Sequence, residues 1–179
     1  MTRLHPLVAG SILACAALIL ASCATSSIDG SRHQLYDSVD ALSSDSSAIV
    51  AGSVGTQEIV DADIPFTVST LTIERTFSTP TLGGNLDGAV EPLSPGMTIK
   101  VRQIGSTDIG SIPAPILSTG GTYLLFLTPT MLPSDRSGTD FYITGGSAGM
   151  YASDGPNFAR VDPDSVDSLP SKLTLSDFE

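Results

Sequence analysis

The chain reads as an all-β protein, a small barrel or sandwich with one flanking helix near its start and a short one near its end. Three observations carry this. Short alternating or continuous apolar runs recur from residue 48 to residue 161, at the length of strands rather than helices. Stretches rich in Gly, Pro, Ser and Asp separate them, the longest at residues 79–95, 106–121 and 129–139. A helical period is clear at one place, between residues 31 and 45. About seven short strands punctuated in this way make a closed or double-layered β fold.

In chain order, Leu35, Val39 and Leu42 recur at i, i+4 and i+7 with Tyr36 beside them, which predicts an amphipathic helix over 31–45 packed on the domain's flank. Residues 48–54 (AIVAGSV) form a buried-type strand, and Gly52 and Gly55 mark bulges or a close backbone approach. Ile64, Phe66 and Val68 alternate, then Leu71, Ile73 and Phe77 alternate on the shifted parity. The slip near Ser69 and Thr70 predicts a β-bulge or sheet corner. Ile99, Val101 and Gln103 alternate with Lys100 and Arg102, a half-buried strand with its basic residues outward. Residues 123–127 are apolar on both parities and are closed by Pro129, so a central strand covered on both sides is expected, with the Leu35/Val39/Leu42 helix over its outer face. Residues 141–144 and 149–152 make the next pair, and 158–161 follows an Asp154-Gly155 turn. Asp162 reads as an N-cap with Pro163 at the first helical position, giving a short helix over 164–169 that stops before Pro170. So phased, a barrel turns Ile49, Ala51, Phe66, Val68, Leu71, Ile73, Ile99, Val101, Leu125, Leu127, Ile143 and Met150 inward.

At 179 residues and a formal net charge of −11 the protein has a single-domain length and an acidic surface. Phosphate backbones would be repelled, which excludes nucleic acid as a partner, and an anionic lipid surface would be repelled as well. The N-terminus carries Arg3 and His5, then a run over 7–20 without a charge. About 14 residues is too short to span a bilayer and fits the apolar region of a secretory leader. That run ends in Leu20-Ala21-Ser22-Cys23, which resembles the lipobox of bacterial lipoproteins. The resemblance implies cleavage before Cys23, lipid on its sulfur, and a protein held at the extracytoplasmic face of the cell membrane. Residues 1–22 are then the signal peptide, 23–32 the lipidated end and a flexible tether, and 33–179 one β-barrel domain. Cys15 leaves with the leader, so no thiol remains for a disulfide or a metal.

A helix feeding SSAIVAGSV, then FTVSTLTIER, GMTIKVRQIG, GGTYLLFLTP and GGSAGMYASDG, is similar to small exported bacterial domains with an OB-like, netrin/TIMP-like barrel. What this resemblance implies, over residues 31–161, is a five-stranded, partly open Greek-key barrel with an extra hairpin. The alternative is an immunoglobulin-like β-sandwich.

For chemistry, Gly145-Gly146-Ser147-Ala148-Gly149 fits G-x-S-x-G. That motif works where a strand turns sharply into a helix beside a histidine base. Here residues 150–152 read as strand, and His33 is the one histidine beyond the leader. The segment is therefore expected to be a Gly-rich hairpin turn with a solvent-facing serine. Asp162, Asp164 and Asp167 are candidate calcium ligands, without the spacing of an EF-hand loop. Caps and a solvated acidic end account for them better. No cofactor is expected: Gly83-Gly84-Asn85-Leu86-Asp87-Gly88 lacks the lysine of a phosphate-binding loop. The chain is thus expected to be a non-enzymatic envelope lipoprotein that binds an unidentified envelope protein or ligand. The alternatives are a divalent-cation or small-ligand binder and, behind it, a serine hydrolase using Ser147.

Overall fold

A computed structural model describes residues 34–77, 92–106, 114–133, 135 and 138–178. It contains a short helix α1 (Val39–Ser44) and eight strands: β1 (Ala48–Val60), β2 (Phe66–Phe77), β3 (Thr98–Ile104), β4 (Thr122–Pro129), β5 (Asp140–Ile143), β6 (Met150–Asp154), β7 (Asn157–Arg160) and β8 (Lys172–Thr174). The strands pair in the order β1-β2-β3-β5-β4, and β4 returns to β1, closing a five-stranded barrel. The β3–β5 pair is parallel, while β1–β2, β2–β3, β4–β5 and β1–β4 are antiparallel. This is an OB-like Greek-key barrel, as expected, and ring closure sets it apart from the sandwich alternative. From the β5 side of β4 the sheet branches into an antiparallel β6-β7-β8 extension.

Two apolar clusters follow from that topology. Inside the barrel lie Val50, Val54, Leu71, Ile73, Ile99, Val101, Leu125, Leu127, Phe141 and Met150, with Leu117 and Tyr123 closing one end. Outside β1 and β4, Ile49, Ala51, Leu124 and Phe126 are covered by Tyr36, Leu42, Tyr151, Phe158, Leu169 and Leu173. Strand β4 is therefore buried on both faces, as its sequence predicts.

The inward set needs correction at four positions. Ile49 and Ala51 face the outer layer, and Val50 and Val54 take their place inside. Phe66 and Val68 share the outer parity of β2, since Leu71 and Ile73 point inward and residues two apart share a face. Thr67 and Ser69 turn inward because that end of the barrel is polar. Gln57 Nε2 donates to Ser69 Oγ (2.9 Å) and to Leu117 O, Gln103 Nε2 donates to Pro115 O (2.9 Å), and Gln103 Oε1 accepts from Leu117 N (2.9 Å). Strand β2 runs unbroken beside β3 from Phe66 to Thr72. The bulges lie between β1 and β2: the first leaves Glu74 of β2 as the extra residue, since Ala51 and Gly52 pair with Arg75 and Ile73, and the second is in β1, between Val54 and Gln57. At the second, Thr70 Oγ1 accepts from Thr56 N (2.8 Å) and donates to Thr56 O (3.1 Å).

At Gly52 the backbone of β2 lies close against β1. A Cβ there would stand 2.4 Å from Thr72 O, a backbone atom that cannot swing away. Gly52→Ala should therefore cost about 1–3 kcal/mol in urea unfolding, as overpacking does in a filled core. A loss within about 0.5 kcal/mol would mean that the bulge relaxes freely.

Both expected helices differ in the structure. Helix α1 has six residues; Ser38 caps it by accepting from Ala41 N (3.2 Å), and Leu42 packs on the β1/β4 face, while Leu35 lies outside the helix and is 57% exposed. No helix forms over 164–169. Ser165 N bonds Asp162 O (3.4 Å) in a turn, and Ser168 N reaches Tyr36 O instead of a helical carbonyl (2.9 Å). The chain then makes β8 and a 3₁₀ turn, Leu175–Phe178. There Phe178 packs its ring against Phe77 and Phe126, with centroids 5.3 and 5.9 Å apart.

Candidate functional site

The residues singled out by sequence are dispersed. Cys23 and His33 lie outside the described residues. Ser147 sits between β5 and β6, which follow one another along the same edge of β4. Ile143 faces Leu127 and Met150 faces Leu125, so the intervening segment is extruded from the ladder as a 3₁₀ turn. Gly145 and Gly146 adopt φ of 64° and 62°, the left-handed region that lets the chain leave the strand. Ser147 is buried, not solvent-facing: its Oγ donates to Asp162 Oδ2 at 2.9 Å. The serine proton is thus aimed at a carboxylate, and the turn leads into a strand, as read from the sequence. Neither a helix behind the serine nor an imidazole beside it occurs among the described residues.

Asp162, Asp164 and Asp167 do not converge. Asp162 serves Ser147, Asp164 is exposed, and Asp167 is buried against Arg160. Asp154 pairs on the surface with Lys172 (2.6 Å). Among the described residues no group of three or more His, Cys, Asp or Glu could hold a metal ion.

The Asp167 cluster is what the sequence reading missed. Its Oδ1 accepts from Tyr36 N (2.8 Å), and its Oδ2 accepts from Ser165 Oγ (2.6 Å) and Arg160 Nη2 (3.3 Å). Arg160 Nη1 donates to Asp167 O (3.0 Å), whereas Arg160 Nε is buried without a partner. The Tyr36 hydroxyl donates to Asp45 Oδ2 (3.1 Å), and its ring lies against Gly145 so closely that a Cβ there would be 2.5 Å away. These contacts staple the entry of the chain to the loop after β7. In β7 Arg160 stands two residues after Phe158 and shares its buried face; the sequence signal for its pairing was the acid seven residues on.

Next to this staple, Tyr151 donates its hydroxyl to Pro170 O (3.1 Å), and burial pushes its pKa up to about 12. A phenol whose folded pKa is raised stabilises the fold below the unfolded value and loses that contribution as pH rises through the folded one. Stability should therefore fall between about pH 10 and about pH 12. Tyr151→Phe should flatten that limb of the pH–stability profile; an unchanged limb would assign it elsewhere.

At the opposite end of β1 the surface is different. Pairing of β4 with β1 stops at Ser53 and Thr122, whereas the β1–β2 ladder continues to Val60 and Phe66. The hairpin thus projects past the barrel with β3 alongside, Ile104 facing Phe66. Val60, Phe66 and Ile104 form one row across the three strands, Ile59 points to the other face, and Ile64 stands in the turn. Ile59, Ile64 and Ile104 are 47%, 53% and 51% exposed. Glu58, Asp61 and Asp63 are exposed around them. Arg102, whose guanidinium lies over the Phe66 ring (5.1 Å), is already paired with Asp140 (2.8 Å). Exposed apolar side chains on both faces of one hairpin end mark an interaction surface that a partner must wrap, and this tip is the candidate site.

No protein-family model matches the chain, and no curated protein matches it in sequence. No helix among the described residues is long and apolar enough to cross a membrane.

Proposed function

We propose that the protein is a lipid-anchored, extracytoplasmic binding module, held at the cell membrane through Cys23 and presenting an OB-like barrel to an envelope partner. The observation that carries the reading is the Leu20-Ala21-Ser22-Cys23 sequence at the end of a charge-free run. The fold adds support, because the chain enters the barrel at a fixed point, with Tyr36 stapled to Asp167. The tether read from the sequence over residues 23–32 would, as a coil, have a root-mean-square span of roughly 15–20 Å, which would keep the barrel near the bilayer. Two acyl chains on one thioether-linked glycerol bind a membrane stably, each buried methylene contributing about 0.8 kcal/mol. An acidic domain contributes no attraction to anionic lipid.

Metabolic labelling with an alkyne fatty acid, followed by mass spectrometry of the N-terminal peptide, tests this. The expected product begins at a diacylglyceryl-modified Cys23. Cys23→Ser should abolish labelling and leave the precursor uncleaved or release it from membranes. A labelled precursor that retains residues 1–22, or an unmodified Cys23, would overturn the anchor.

A further inference from the structure

We infer that the projecting β1–β2 tip is the docking site, and that its occupant is a cationic, apolar segment of a partner protein. The inference rests on reading the domain as a binding module and adds the chemistry of what is bound. Three observations select the occupant. The tip offers Ile104 with the half-buried Val60 and Phe66 on one face, Ile64 in the turn and Ile59 on the other face, so a partner that wraps the hairpin end must bring apolar side chains. Its charged neighbours over residues 54–66 are all acidic, Glu58, Asp61 and Asp63. The cation that lies over Phe66, Arg102, is paired with Asp140. A second copy of this chain, at a formal net charge of −11, would bring like charge to a like-charged rim.

Placement disfavours the bilayer as occupant. Strand β1 starts at Ala48, opposite Leu127 and close to the Tyr36 staple, and ends at Val60 in the tip. Along the strand that is roughly 40 Å, at about 3.3 Å per residue. The tip therefore lies at the far end of β1 from the point where the chain enters. An anchored barrel would hold it outward, where a partner's segment can reach it.

The test uses the full chain in nanodiscs of phosphatidylcholine and fluorescein-labelled peptides of alternating Lys and Leu or of alternating Glu and Leu, read by anisotropy. The Lys/Leu peptide should bind and the Glu/Leu peptide should not, with affinity falling several-fold as salt rises from about 50 to about 300 mM. Ile59→Ser, Ile64→Ser and Ile104→Ser together should weaken binding about tenfold or more. Glu58→Gln, Asp61→Asn and Asp63→Asn together should weaken it and remove most of the salt dependence, while Leu35→Ser, at an exposed apolar residue away from the tip, should leave it unchanged. Unaltered far-UV circular dichroism certifies the folding of each variant. Equal binding of the two peptides, or a triple serine variant that binds like the parent, overturns the proposal. So does concentration-dependent dimerisation lost in that variant, which would name a second copy. Binding of phosphatidylcholine vesicles through the same three isoleucines would name lipid instead. The outcome is separable from the anchor, because an unmodified Cys23 leaves peptide binding untouched.

Discussion

Asp167→Asn is expected to destabilise the domain by about 3–5 kcal/mol, because it removes one charge of a pair buried on both sides. The side chains of Arg160 and Asp167 are 4% and 0% exposed, and the pair is tied in by Tyr36 N and Ser165 Oγ. A guanidinium left at that depth without its carboxylate faces the full cost of desolvation, and its Nε is unpartnered to begin with. Against a typical total of about 5–15 kcal/mol, such a loss takes a large share of the margin. Arg160→Met should cost less, since the Asp167 carboxylate keeps the Tyr36 and Ser165 donors. The two changes together should cost less than their sum, with a coupling of about 1–3 kcal/mol. Urea midpoints at constant slope measure all three variants. A loss below about 1 kcal/mol for Asp167→Asn would place the pair at the level of an exposed bridge. The change should also speed amide exchange around Tyr36, since the staple holds the chain where it enters the barrel.

How far the sequence carries can be judged strand by strand. Alternation is informative where one face meets the core and the other meets water, and β3 was read correctly for that reason: Ile99, Val101 and Gln103 are buried while Lys100 is exposed. The double cover of β4 was also legible, since both its parities are apolar. The same property hid the phase of β1. Ile49, Val50 and Ala51 are all buried, so hydropathy alone cannot say which of them faces the barrel. In β2 the pattern misled outright, because Thr67 and Ser69 fill the interior and Phe66 lies outside under Arg102. A polar residue can turn inward where loop carbonyls and glutamines satisfy it, and those partners come from residues far along the chain. Ser147 and Arg160 were missed on the same ground: each is buried because an aspartate elsewhere in sequence, Asp162 or Asp167, receives its proton. The candidate tip needed the topology as well. That β4 leaves β1 at Ser53 while β2 stays to Val60 is a fact of pairing that no single strand announces.

The barrel register makes the sharpest test of the fold. Val101 is fully buried, with Ser69 on one side and Phe141 on the other. Val101→Asp would place a carboxylate in the cluster of Leu71, Ile99 and Leu125 with no counter-charge, the Ser69 hydroxyl opposite being its cross-strand polar neighbour. That cost is several kcal/mol, on the order of the whole stability, and the domain should lose its cooperative unfolding transition at neutral pH. Burial favours the neutral acid, so the introduced carboxyl would have a raised pKa in the folded state, and lowering the pH should return part of the stability. Val101→Asn, of similar size and without a titratable group, should show no such recovery. One residue earlier, Lys100 is exposed and stands between Thr70 and Asp140. Lys100→Ser should cost less than about 0.5 kcal/mol. Lys100→Asp should cost up to about 1 kcal/mol, since it sets a second carboxylate opposite the one that Arg102 holds. Thermal unfolding of the four variants separates the two parities. Equal tolerance at positions 100 and 101 would mean that β3 does not run through the barrel in this register, and the projecting tip, which depends on Ile104 lying beside Phe66, would fall with it.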